Sequence, residues 1–167
     1  MNTKTQKIIL AAMFAALACV ATMVIKIPSP LGGYINLGDC IVLLSGWMLS
    51  PIYGLLAAGL GSALADILSG YVAYAPMTFV IKALMAVEAF FIFKVLDKKI
   101  GNTASRIISG AVAEVIMVAG YFVCEGIFMY GFAASAVNIP ANAIQGAAGL
   151  IIGVLLAKVF EKHKIVK

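Results

Sequence analysis

Six apolar runs alternate with short breaks along the chain: residues 8–26, 37–49, 52–69, 76–96, 104–130 and 138–158. A helix that crosses a bilayer needs ~20 mainly apolar residues. The pattern therefore predicts an all-α integral membrane protein, a bundle of six transmembrane helices forming one domain over residues 1–167. The opening MNTKTQK leads straight into apolar sequence with no clear small-x-small cleavage site, so it reads as the start of the first helix rather than a leader. Pro28, Pro30, Gly32 and Gly33 break the pattern and predict a loop over 27–36. Ser50-Pro51 marks a sharp connection, with proline favoured in a first helical turn. Further loops are predicted at 70–75, 97–103 and 131–137. The run at 37–49 is short. At ~1.5 Å per residue it covers only ~20 Å of a ~30 Å hydrocarbon core. Either the second and third helices form a hairpin that dips into the membrane, or the bundle thins the bilayer locally.

Composition strengthens the assignment. The chain is 63% hydrophobic and 11% charged, with mean hydropathy +1.09. Soluble domains are about a quarter charged, so most of this surface must face lipid. The net charge of +5 does not point to nucleic acid, because of where the charge lies. Apart from Lys26 and Lys82, the basic residues fall at the N-terminus (Lys4, Lys7), around the central break (Lys94, Lys98, Lys99, Arg106) and at the C-terminus (Lys158, Lys162, Lys164, Lys167). By the positive-inside rule both termini and the 97–103 loop are cytoplasmic. Lys26 can snorkel to the outer interface.

Other chemistry is sparse. Cys19, Cys40 and Cys124 lie on apolar runs without metal or redox spacing and read as small buried hydrophobes, while His163 lies in the basic tail. No phosphate-binding G-x-x-x-x-G-K-[ST] loop is present, so the chain is not expected to hydrolyse ATP itself. No metal constellation or nucleophile–base set is found, and an enzyme is not expected.

Polar side chains inside a membrane span are costly, which makes them functional candidates. With the topology fixed by the basic loops, Asp39, Asp66, Lys82, Glu125, Asn138, Asn142 and Gln145 all fall toward the outer leaflet. Asn138, Asn142, Gln145 and Gly149 recur at i, i+4, i+7 and i+11 on one helix face. Thr78 and Lys82 share a face, as do Glu114, Tyr121 and Glu125. Tyr34, Tyr71, Tyr74, Tyr121 and Tyr130 sit at the same level and could stack on a flat ligand. One polar pocket open to the outside is implied, with Asn36 and Tyr34 in its entrance loop. Structural roles compete at each position. Asp39 could be a first-turn acid with Asn36 as cap, Asp66 and Lys82 an ion pair, the tyrosines an interfacial belt, and the amides interhelical glue. Glu88 and Glu114 fit structural or interface roles better. Alanine stripes at Ala11, Ala12, Ala15 and Ala16 give the first helix a smooth face suited to close helix packing.

These features together resemble the substrate-binding S components of energy-coupling factor (ECF) vitamin transporters. The elements carrying the resemblance are AAMFAALA, the Pro/Gly loop leading into GGYINLGD, SPIYGLLAAGLGSALADILSGY, and APMTFVIKALMA with its intramembrane lysine. The resemblance implies a vitamin-binding subunit in a prokaryotic plasma membrane. Its partners would be a membrane coupling (T) protein and two cytoplasmic ATPases. ATP is then used by those partners, and this chain needs no cofactor. It also implies that Ala11 and Ala15, or Ala12 and Ala16, contact the coupling protein. The ligand would be held by the outer loops together with Lys82, Glu125, Asn138, Asn142 and Gln145. Within the family, GGYINLGD and FVIKALMA look most like members for vitamin B6 or the hydroxymethylpyrimidine part of thiamine, with riboflavin-type members as the alternative. A non-transport membrane assembly protein is the reading from a different class.

Overall fold

The computed structural model describes residues 4–162; His163, Lys164 and Lys167 lie outside the described residues. The chain is mostly helical. Helix α1 (Lys4–Val24) leads into a short hairpin of β1 (Ile27–Pro28) and β2 (Tyr34–Ile35). Then follow α2 (Gly38–Met48), α3 (Pro51–Leu68), α4 (Ala75–Ile100), α5 (Asn102–Phe128), the single turn α6 (Phe132–Ser135), a 3-10 turn (Ala136–Asn138) and α7 (Ile139–Lys162). Among the described residues, four helical segments are long and apolar enough to cross a membrane: Lys4–Val24, Pro51–Leu68, Asn102–Phe128 and Phe132–Lys162.

Helices α1, α3 and α5 run toward one end of the bundle and α2, α4 and α7 run back. The hairpin, residues 69–74 and the 129–138 segment gather at that loop-rich end, where Lys26 Nζ donates to Ser69 Oγ at 3.1 Å. At the opposite end Asn102 Nδ2 donates to Glu161 Oε1 at 3.1 Å.

The structure explains the short second run. Every residue from Gly38 to Trp47 in α2 is buried, because α1, α3, α4 and α7 all pack against it. A helix apolar on all sides belongs in a core, and Val42, Leu43 and Leu44 are fully enclosed. The outside of the bundle is apolar as well, with Val24, Ile52, Val115 and Phe128 among its most exposed side chains. That is the surface of a protein solvated by lipid.

Two predicted loops are corrected. The 97–103 loop shrinks to Gly101, because α4 continues through Asp97, Lys98 and Lys99 to Ile100. Charge ends an apolar run at the membrane boundary, but lysine is a good helix former and does not end the helix. Gly101 does end it, at φ 81°, a left-handed conformation that costs glycine little. The 131–137 segment is not open loop either, since α6 and the 3-10 turn occupy it.

The opposite end is clamped by Arg106. Its guanidinium lies 5.8 Å from the Trp47 ring and 5.2 Å from the Phe93 ring and donates to Glu161 Oε1 at 2.7 Å. Trp47 Nε1 donates to Ser109 Oγ at 3.0 Å. Helices α2, α4, α5 and α7 thus share one buried junction, far from the loop-rich end.

Candidate substrate-binding site at the loop-rich end

The site is built on a buried polar floor. Lys82 of α4 pairs with Asp39 Oδ1 in the first turn of α2, with side chains 3% and 0% exposed. Gln145 Nε2 of α7 donates to the other Asp39 oxygen at 2.7 Å. Gln145 Oε1 in turn accepts the Asn36 backbone N–H at 2.9 Å and its side-chain amide at 3.2 Å. Asn36 Oδ1 accepts the Gly38 N–H at 2.8 Å; Asn36 is not the N-cap itself, which is Leu37, but its side chain folds back on the first helical residue. Both oxygens of Asp39 and both ends of Gln145 are thereby occupied. The close approach depends on Gly149, where a Cβ would stand 2.7 Å from Asp39 Cβ.

One expectation is overturned here. Asp66 and Lys82 do not form an ion pair; Lys82 takes Asp39. Asp66 instead accepts the Tyr34 hydroxyl at 2.8 Å.

Above the floor stand paired walls. The Thr78 and Tyr121 hydroxyls are 3.0 Å apart, and those of Tyr74 and Tyr130 are 3.1 Å apart. Asn138 Nδ2 donates to Glu125 Oε2 at 3.0 Å. Tyr71 bridges Tyr34 and Tyr74, with ring centroids at 4.8 and 6.2 Å. Burial, and then the Asp66 carboxylate, push the Tyr34 hydroxyl's pKa up. Burial and the Tyr130 contact do the same for Tyr74. Both hydroxyls therefore stay protonated and able to donate.

The β1–β2 hairpin forms the roof. Gly32 and Gly33 turn it at φ 105° and 76°. A Cβ on Gly32 would meet the Tyr130 hydroxyl at 2.8 Å, and one on Gly33 would touch the Tyr74 ring at 3.5 Å. Ser29 Oγ closes the turn by donating to the Gly32 carbonyl at 3.0 Å.

Between floor, walls and roof lies a cavity of about 30 Å³, lined by Ser29, Gly32, Gly33, Tyr34, Asn36, Asp66, Tyr74, Thr78, Tyr121, Glu125, Asn142 and Gln145. Eight of these are candidates from the sequence: Tyr34, Asn36, Asp66, Tyr74, Tyr121, Glu125, Asn142 and Gln145. Three further candidates do not line the cavity. Asp39 and Lys82 form the floor's buried ion pair, and Asn138 braces Glu125. Ser29, Gly32 and Gly33 were not singled out as lining residues. Their only signal was the Pro/Gly loop itself, which does not say that the loop folds back over the site.

The remaining intramembrane acids are set apart. Neither carboxyl oxygen of Glu88 or Glu114 has a hydrogen-bond partner among the described residues. Glu114 nests against α7, where Cβ atoms on Gly146 and Gly149 would stand 3.0 and 3.2 Å from its oxygens.

On α1 the two alanine stripes separate. Ala12 and Ala16 are exposed, whereas Ala11 and Ala15 are half-buried. A Cβ on Gly61 of α3 would collide with the Ala15 carbonyl and stand 2.9 Å from Ala18 Cβ. The Ala15 side of α1 is therefore an internal seam. Beside it runs an apolar groove of about 230 Å³ bordered by Ile8, Ala11, Ala12, Ala15, Tyr53, Leu56, Ala57 and Leu60.

Comparison with known proteins agrees with this picture. A model of the family described as "ECF-type riboflavin transporter, S component" matches residues 2–162. The chain belongs to that family: it is a transporter S component, a membrane-embedded substrate-binding subunit and not an enzyme. It is also 35% identical over 147 residues to an "uncharacterized protein in gap 3'region" of Pyrococcus woesei, covering 86% of this chain and 94% of that one. A solved structure described as the S component of a bacterial ECF transporter shares the fold. Its TM-score is 0.71 at 23% identity, over 96% of this chain and 98% of that one.

Proposed function

We propose that this subunit captures riboflavin on the outer face of a prokaryotic plasma membrane and passes it to an ATP-driven coupling module. The carrying observation is the pocket lined by tyrosine rings, amides and carboxyls at the loop-rich end, in a chain that the riboflavin-type family matches over residues 2–162. Tyr34, Tyr74 and Tyr121 offer ring faces to a flat heterocycle. Asn142, which lines the cavity, offers the mixed donor and acceptor edge that an isoalloxazine ring needs, beside a Gln145 tied to Asn36 and Asp39. Asp39, Lys82 and Asn138 hold those groups in place from behind.

In this reading the five long helices and the shorter α2, sheathed by its neighbours, make up the membrane bundle, and both termini and Gly101 face the cytoplasm. The basic residues at the end opposite the pocket support that orientation. The partners are a membrane coupling protein and two cytoplasmic ATPases, and the Ala12–Ala16 face of α1 is the docking surface for the coupling protein. The cavity is about 30 Å³, far below the ~300–1,000 Å³ of typical ligand pockets. The hairpin must therefore lift, and the tyrosines part, as the ligand enters.

The stretches GGYINLGD and FVIKALMA favour a second reading, a single-ring ligand of the vitamin B6 or hydroxymethylpyrimidine type. Mass spectrometry of small molecules released from the purified subunit, with riboflavin fluorescence quenching on titration, separates the two. Co-purified or saturably quenched flavin supports riboflavin. A pyridine or pyrimidine vitamin with no flavin response supports the second reading, and retention of neither in growth medium supplying both removes the proposal.

A further inference from the structure

We propose that Asp66 and Glu125 make this pocket select the free vitamin over its phosphate ester. This rests on the reading of the pocket as the substrate site and adds to it the charge that the ligand is allowed to carry.

Two carboxyls line the cavity from different helices, Asp66 from α3 and Glu125 from α5. They are 6% and 3% exposed. Among the described residues, no lysine, arginine or histidine lines it. The nearest intramembrane cation, Lys82, is committed to Asp39 and lies under the Tyr121 ring, 5.4 Å from its centroid. Lys26 is exposed at the rim, where it bonds Ser69 and sits 5.8 Å from the Tyr34 ring centroid, outside the lining.

The hydrogen-bond inventory points the same way. The Tyr34 hydroxyl is spent on Asp66 Oδ1 and the Asn138 amide on Glu125 Oε2. What remains on the carboxyl side is acceptor capacity, with Asn142 the lining amide that can both donate and accept. Asp66 Oδ2 is buried without a partner of normal hydrogen-bond geometry, although the Thr78 hydroxyl, engaged with Tyr121, lies beside Asp66. A buried polar atom without a partner carries a penalty that a ligand can relieve. Here only a ligand rich in donors does so, through hydroxyls, an imide N–H or an ammonium.

A phosphate ester brings the opposite chemistry. It carries more than one negative charge and only strong acceptors. Burying it here would set an anion beside two carboxyls with no cation to compensate, and that penalty is large whether or not the carboxyls themselves are ionised.

The test is equilibrium binding of riboflavin and riboflavin 5′-phosphate to the purified subunit, read by fluorescence quenching. The same comparison is made for pyridoxine and its phosphate by calorimetry. The expected result is at least about 100-fold weaker binding of the ester, in line with like-charge juxtaposition in a buried site. Asp66→Asn and Glu125→Gln, isosteric changes that keep the Tyr34 and Asn138 contacts available, should each narrow that ratio to less than about tenfold. Equal affinity for ester and free vitamin in the wild type overturns the inference while leaving the functional reading intact. An unchanged ratio in both variants overturns its assignment to these two residues. If neither vitamin nor ester binds the wild type, it is the functional reading that fails.

Discussion

Lys82 of α4 and Asp39 of α2 meet in an ion pair that is closed to solvent on every side, and Gln145 of α7 fixes the second Asp39 oxygen at 2.7 Å. Three helices are joined at one point beneath the pocket. Removing one partner of a buried pair leaves a bare charge and costs about 3–5 kcal/mol, whereas an apolar replacement of both is far milder. Lys82→Met and Asp39→Leu should each lower the melting temperature of the purified subunit sharply. The double variant should melt above either single one. A double variant that melts below both would show that the pair is not the element holding α2 to α4.

Asn142 and Gln145 share a face of α7 but differ in their duties. Asn142 lines the cavity, while Gln145 also ties Asn36 to Asp39. Loss of one buried hydrogen-bonding group costs ~1–3 kcal/mol, or roughly five- to 150-fold in affinity. Asn142→Ala should weaken ligand binding within that range and leave the melting curve in place. Gln145→Ala should reduce both. Titration and thermal melting of the two variants side by side check the division.

The two sides of α1 should respond differently to bulk. Ala15 lies against Gly61, so Ala15→Trp overpacks a helix seam, at a cost of ~1–3 kcal/mol. It should lower stability and ligand binding together. Ala16 is exposed, so Ala16→Trp should leave melting and binding of the isolated subunit unchanged, yet block co-purification with the coupling module and abolish uptake. Normal uptake by the Ala16→Trp variant would remove α1 as the docking face.

Orientation is open to direct labelling. Lys98 is exposed at the end of α4. In a variant whose native cysteines are replaced, a cysteine at position 98 should resist an impermeant maleimide in intact cells and react once the cells are opened. Labelling from outside would invert the proposed topology.

Hydropathy placed the helices well because lipid solvation acts residue by residue, and each apolar run reports its own burial. That Asp66, Glu125 and Gln145 lie toward one end of the bundle, around one cavity, was legible for the same reason. Pairing was not. Lys82 stands a similar way into the bundle from Asp39 and from Asp66, and only the packing of α2 between α4 and α7 decides for Asp39. Likewise Asn36 was readable as a residue of the turn into α2, but its bond to a glutamine 109 positions away depends on the hairpin folding back. The Ala11/Ala15 and Ala12/Ala16 stripes looked equivalent in sequence. Gly61, on another helix, decides which one faces inward.

Gly101 joins α4 to α5 through a single residue outside both helices, and the two helices pack along their length. Such a joint leaves them little choice but to travel as one piece. Alone, α4 with Lys82 and Glu88 is a costly segment to place in lipid; as a closed hairpin with α5 it presents that cost with one flank already packed. The shortest link between two long helices among the described residues thus bears on how the protein can be assembled as well as on how it stands when finished.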